Sequence, residues 1–192
     1  MKNIIVGGTV RAGKSTLANL IRKKLNYSLC ESDTIVNAFH KVFPELGIVH
    51  NKPEMARENY KEFLFEILDG FCKSLKYHGN VTIFPGSQFL PRHINEYSKK
   101  DRYIVIFLGV NDVTAPMLLN KLRETEQEHD WTHKHDNESL LKLCSKIIDE
   151  SKEFEEECKK YGFYYFNTFY DREETLKNIV RLIEKEQTQN QN

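Results

Sequence analysis

The sequence runs to 192 residues, 40% of them hydrophobic, and its 28 Lys plus Arg balance 28 Asp plus Glu to a formal net charge of zero. A chain of that length suits one domain, 1–192, with a core of its own, and the even charge argues against nucleic acid or an anionic membrane as a partner. Cys30, Cys72, Cys144 and Cys158 form no C-x-x-C pair, so neither a zinc site nor a disulfide framework is indicated; with no apolar run of transmembrane length and no leader ahead of the first strand, a cytoplasmic protein is expected.

Lys2 to Val6 reads as a short strand. It leads into Gly8-Thr9-Val10-Arg11-Ala12-Gly13-Lys14-Ser15 and Thr16, which fits G-x-x-x-x-G-K-[ST], the phosphate-binding P-loop. The residue types follow from the chemistry. Glycines let the backbone curl around a polyphosphate and present N–H donors; Lys14 is placed for the β- and γ-phosphates, and the Ser15 hydroxyl for Mg²⁺. Leu17, Leu20, Ile21 and Leu25 recur at helical spacing over 14–25, so the loop opens a helix whose positive end faces the phosphates.

Tyr27 to Cys30 reads as a second strand, ending in Glu31-Ser32-Asp33 before a helix over 34–42. Asp33 thus sits near a strand's C-terminal end, where open α/β sheets bind ligands; Ser32 or Asp33 also suits a helix cap. After a connection over 44–53, a long helix over 54–77 buries Tyr60, Phe63, Leu64, Ile67, Leu68, Phe71 and Leu75. Arg57 in its first turn opposes the helix dipole, which a bound anion or an acidic neighbour would explain.

Val81 to Phe84 is a third strand, closed by Pro85-Gly86-Ser87-Gln88 and followed by Arg92, a second candidate for an anionic acceptor. The strand ends in Phe84 and Pro85, where many P-loop proteins carry a metal-holding carboxylate. Its absence argues against a motor-type ATPase and leaves Asp33 as the nearest carboxylate for both metal and acceptor. Arg102 to Gly109 is a near-continuous apolar run suited to burial on both faces of a parallel sheet. A helix over 113–123 follows, then a polar flap over 124–136, with Lys121 and Arg123 at its base. His129, His133 and His135 lack a complete ligand set and read as solvated; Trp131 would pack the flap or stack on a base. A helix over 138–160, a fifth strand Phe163 to Phe166, an Asp171/Glu174 capping box and a last helix complete the chain, with 187–192 a frayed tail.

Strands alternating with helices imply an α/β fold, a parallel sheet covered on both sides. The order resembles the P-loop kinases of nucleotides and small molecules: adenylate-kinase-like, shikimate-kinase-like and gluconate-kinase-like proteins. The resemblance implies a three-layer α/β/α fold with a five-stranded parallel sheet in the order 2-3-1-4-5, ATP at the P-loop with Mg²⁺ held by Ser15 and Asp33, a lid over 121–137, and transfer to a small-molecule acceptor. In it Asp33 matches the acidic residue after the second strand, Pro85-Gly86-Ser87 the acceptor loop, and Arg123 a lid arginine that neutralises the transferring phosphoryl group. The flap itself contains no arginine, which departs from the pattern. A regulatory ATP-binding protein with a nucleotide-dependent flap is the competing reading. GTPase switching is disfavoured, because Gly109-Val110-Asn111-Asp112 lacks the lysine of N-K-x-D.

Overall fold

A computed structural model describes residues 1–48, 53–126, 128 and 130–189. Five parallel strands, β1 (Asn3–Gly8), β2 (Ser28–Leu29), β3 (Thr82–Pro85), β4 (Tyr103–Gly109) and β5 (Tyr164–Asn167), form one sheet in the order β2-β3-β1-β4-β5. This is the order expected. Central β1 pairs Ile4 with Ile83 of β3 on one side and with Ile104 of β4 on the other.

The continuous apolar character of β1 and β4 follows from burial on both faces. Ile5, Val105 and Phe107 point into one core with Phe84, Tyr60, Leu64, Leu68 and Phe154, contributed in part by helices α3 (Pro53–His78) and α6 (Asn137–Tyr161). Ile4, Val6, Ile104 and Ile106 point into the other, with Leu17 and Ile21 from α1 (Lys14–Leu25) and Ile179 and Ile183 from α7 (Arg172–Gln189). A third cluster joins α5 (Ala115–Glu124) to α6 through Leu118, Leu122, Cys144 and Ile147, beside Val110 and Phe169. It sits at the C-terminal edge of the sheet and forms one wall of the cleft above it.

Several boundaries differ from expectation for local reasons. Helix α2 (Ser32–Val42) begins two residues early, with Glu31 at the cap position. The α5 helix starts at Ala115, two residues late, because Pro116 fits its first turn. The short α4 (Pro91–Glu96), opened by Pro91, carries too few residues to show a period. At the chain's end, Gln187 is buried: it accepts from the Lys2 N–H at 2.8 Å and donates to the Lys2 carbonyl at 2.7 Å, so α7 is fastened to β1 where fraying was expected. Residues 190–192 and 49–52 of the expected tail and connection lie outside the described residues. Among the described residues no helix is long and apolar enough to cross a membrane.

Candidate active site

A cleft of about 1360 Å³ opens at the C-terminal ends of the strands, floored by Val10, Arg11, Gly13, Lys14, Ser15 and Thr16. Two of the loop's carbonyls are already engaged. Arg172 donates to the Arg11 carbonyl at 2.8 Å and the Thr168 hydroxyl to the Ala12 carbonyl at 2.8 Å. Gly13 caps α1 at φ 98°, and Arg11 holds a left-handed φ of 64° that an arginine adopts only under tertiary restraint. The restraint is visible: Arg172 holds its carbonyl, and Asp130 its guanidinium at 2.9 Å.

Gly8, Thr9 and Ala12 support the loop rather than line the cleft. Gly8 pairs with Leu108 of β4. Thr9 is fully buried; its N–H donates to the Leu108 carbonyl, and its hydroxyl shares a 3.2 Å hydrogen bond with Ser151 of α6. Ser151 also accepts from the Val110 N–H at 2.9 Å, tying the start of the P-loop to the end of β4.

Lys14 folds back so that Nζ donates to the Thr9 carbonyl at 2.7 Å. Although the whole side chain is only partly covered, its ammonium is withdrawn from water, and this desolvation pulls its pKa down to about 8 against the opposing pull of Asp33 and Glu150. Beside it, Arg172 Nε is buried without a partner, and burial together with the Arg11 charge lowers the Arg172 pKa. Cations so poorly compensated, at the N-terminal end of α1, suit an anion.

The opposite wall carries the carboxylate. Asp33 accepts from Gln88 Nε2 at 2.8 Å, and Gln88 Oε1 accepts from the Ser32 hydroxyl at 2.7 Å. The hydroxyl also lies 3.1 Å from the Pro85 carbonyl, so Ser32 bridges to the β3 loop in place of capping α2. Gly86 leaves room for this arrangement: a Cβ there would lie 1.9 Å from Ser32 Oγ. Arg57, 12% exposed, donates from Nε to the Ser87 carbonyl and pairs with Glu150 of α6. The acidic neighbour that its position in α3 called for is therefore Glu150.

The described part of 121–137, the segment expected as a lid, is organised around Arg123. Its guanidinium donates to Glu126 at 3.0 Å, to Asn137 Oδ1 at 2.9 Å and to the His135 carbonyl at 2.9 Å. A short 3-10 turn, Trp131–Lys134, follows, and Asp136 caps α6 by accepting from the Ser139 N–H. Asp130 reaches across to Arg11, so this segment meets the P-loop directly. His133 lies 3.5 Å from Glu126; among the described residues no three His, Cys, Asp or Glu side chains converge as a metal cluster. His129 and the Trp131 side chain, with the stacking expected of it, lie outside the described residues.

No protein-family model and no curated protein matches the sequence. Solved structures match its fold. A shikimate kinase from Bacteroides thetaiotaomicron aligns over 95% of this chain and 98% of its own at 21% identity, with a TM-score of 0.57. A gluconokinase from Sinorhizobium meliloti 1021 aligns over 98% and 97% at 13% identity, TM-score 0.58, and a sugar kinase from Janibacter sp. HTCC2649 over 96% and 95% at 13% identity, TM-score 0.61. The chain has the P-loop kinase fold.

Within that fold the expected site residues separate into two groups. Lys14, Ser15, Thr16, Asp33 and Arg57 line one cleft together with Val10, Arg11 and Gly13. Arg123 does not line it: its donors are used within its own segment, against Glu126 three residues on. Arg92 is also outside the cleft, 45% exposed between Glu58 at 3.8 Å and Glu157 at 3.7 Å. Gly86 acts by its lack of a side chain. The residues that sequence reasoning missed are Gln88, Glu150, Ser151 and Asp130, each defined by a partner distant in sequence.

Proposed function

We propose that the protein is a Mg·ATP-dependent phosphotransferase acting on a small metabolite, nucleoside or nucleotide. The observation that carries this reading is the placement of Lys14, Ser15 and Asp33 on one cleft, above a loop whose carbonyls are tied back by Thr168 and Arg172. Structures named as shikimate kinase, gluconokinase and sugar kinase share the fold and support it.

Phosphoryl transfer asks the protein chiefly to position and to stabilise charge. The loop amides and Lys14 hold the β- and γ-phosphates. Ser15 and Asp33, exposed oxygen donors on the same cleft, fit a hard cation that shares its remaining ligands with phosphates and water. Bound Mg²⁺ supplies neutralisation of the polyphosphate charge. Asp33, fixed by Gln88, orients the acceptor and takes its proton as the acceptor oxygen bonds to the γ-phosphorus and the bridging bond to ADP breaks. The lid excludes water from this step, and Lys121 and Arg11 are the cations that line the cleft on its side. Arg123 contributes by holding the lid's shape.

The test is ADP release from Mg·ATP by the purified protein, with and without nucleosides, nucleoside monophosphates and small hydroxylated metabolites. Stimulation by one class establishes the kinase. ATP binding without stimulation by any of them favours the competing reading, a regulatory ATP-binding protein; the contact that favours it is Arg11 with Asp130, through which an occupied P-loop would move the lid.

A further inference from the structure

The acceptor end of the cleft, bounded by Asp33, Val36, Asn37, Ala56, Arg57 and Gln88, differs in charge from the nucleotide end. Apart from Lys14, which the phosphates engage, Arg57 is the one Lys or Arg among the described residues of that wall. Its charge is already met by Glu150, and its Nε is fixed to the Ser87 carbonyl. Side-chain exposures of 12% and 24% for Arg57 and Glu150 keep the pair from being loosened by solvent. With Lys14 given to the nucleotide, Arg57 is already paired with Glu150, and Asp33 adds a carboxylate to the same wall.

We infer that the acceptor is a hydroxylated molecule carrying no anionic group, a sugar, polyol or nucleoside, and that the Glu150–Arg57 pair excludes carboxylate- and phosphate-bearing acceptors. The inference rests on the phosphotransferase reading and narrows its acceptor. An anion reaching Arg57 meets the Glu150 carboxylate on the same guanidinium and Asp33 on the same wall, repulsion that lowers its use on the order of a hundredfold relative to a neutral counterpart. A neutral acceptor meets no such opposition: the exposed Asp33 carboxylate offers a hydrogen-bond partner for a hydroxyl, and Val36 and Ala56 suit C–H faces. Shikimate and gluconate, for which two of the structural neighbours are named, are both carboxylates and serve as anionic probes.

The experiment measures ADP release from Mg·ATP with matched pairs: sorbitol and gluconate, methyl shikimate and shikimate, adenosine and AMP, thymidine and its 5′-monophosphate. The neutral member of at least one pair is expected to stimulate with kcat/KM about a hundredfold above its anionic partner. Glu150→Gln, which keeps a hydrogen-bond acceptor but frees the Arg57 charge, is expected to raise kcat/KM for that partner at least about tenfold, while Glu150→Asp preserves the discrimination. Melting temperatures of both variants establish that they fold. An anionic member used as well as or better than its neutral partner by the parent protein overturns the inference and leaves the kinase reading standing, as does discrimination unchanged in a folded Glu150→Gln. Tight binding of a non-hydrolysable ATP analogue with no stimulation by any member brings down the kinase reading, and the inference with it.

Discussion

Gln88 donates from Nε2 to Asp33 Oδ1 at 2.8 Å while its own carbonyl is held by the Ser32 hydroxyl. The second contact fixes which end of the amide meets the carboxylate, so Asp33 is oriented by a side chain that cannot flip without losing both bonds. Gln88→Ala is expected to leave nucleotide affinity within about twofold and to lower kcat by about tenfold, because only alignment of the acceptor is lost. Ser32 keeps the Pro85 carbonyl as a partner, so the stability cost is about 1 kcal/mol. Gln88→Glu removes the donor and places a second carboxyl beside Asp33, so kcat should fall at least as far as in Gln88→Ala. Parental kcat in both variants would reduce Gln88 to a packing residue.

The Lys14 ammonium is costly to the nucleotide-free fold. With a folded pKa of about 8, below the ordinary lysine value of 10.5, both states are protonated below pH 8 and the penalty is fully present; between 8 and 10.5 the unfolded chain holds more protons, and stability from this group rises with pH. Lys14→Met should therefore be at least as stable as the parent at pH 7 in urea and lack that rise, while losing nucleotide binding by on the order of a hundredfold or more. Retained affinity would refute the phosphate site.

The same shift couples binding to protons. Phosphates beside Lys14 favour its charged form, so above pH 8 the free protein must take up a proton as nucleotide enters. Affinity for ADP should be insensitive to this group below pH 8 and fall with rising pH by up to about tenfold per unit above it. Calorimetry at pH 9 in two buffers of different ionisation enthalpy should show an uptake approaching one proton, against nearly none from this group at pH 7. Equal uptake at both values would show that Lys14 is not the linked group.

What was legible in the sequence was local. The P-loop, the apolar run of β4 and the helix stripes rest on spacing within a few residues, and the sheet order followed from resemblance. Asp33 was found because it follows a strand. The contacts that organise the site join Gln88 to Asp33 across 55 residues, Arg57 to Glu150 across 93 and Thr168 to Ala12 across 156. No period or local spacing encodes such pairs. The resemblance makes Arg123 a lid arginine for the phosphoryl group, whereas Glu126, three residues on, is a local sign that its charge is met elsewhere. Phe63, assigned to the buried stripe of α3, is instead 38% exposed and packs on Phe39 of α2.

Asp130 joins the lid to Arg11 through a pair whose side chains are 20% and 24% exposed. Such a pair contributes about 1 kcal/mol, a factor of about five in a local opening equilibrium. Asp130→Asn should raise hydrogen exchange of the described lid amides around 130–136 by about that factor and leave the sheet's exchange unchanged. Saturating nucleotide should reduce the difference if the lid also rests on the ligand; unchanged lid exchange in the variant would show that the pair does not hold it.

Ser151 offers a test of how rigid the P-loop must be. Its hydroxyl donates to the Ile147 carbonyl at 2.7 Å, accepts from the Val110 N–H and meets Thr9 Oγ1, all in a fully buried setting. Ser151→Ala removes one oxygen and leaves the Val110 N–H and the Thr9 hydroxyl without this partner, which costs about 1–3 kcal/mol of stability each unless water enters. Thr9 also supplies the carbonyl on which Lys14 rests, so loosening it disturbs the lysine as well as the loop. We expect a destabilised but folded variant whose nucleotide affinity falls about tenfold, with kcat lowered to the extent that Lys14 is displaced. Ser151→Thr, which keeps the hydroxyl, should recover affinity to the extent that its extra methyl is accommodated. A loss of stability without loss of affinity would confine Ser151 to the core and show that the loop's shape is set by Thr168 and Arg172 alone.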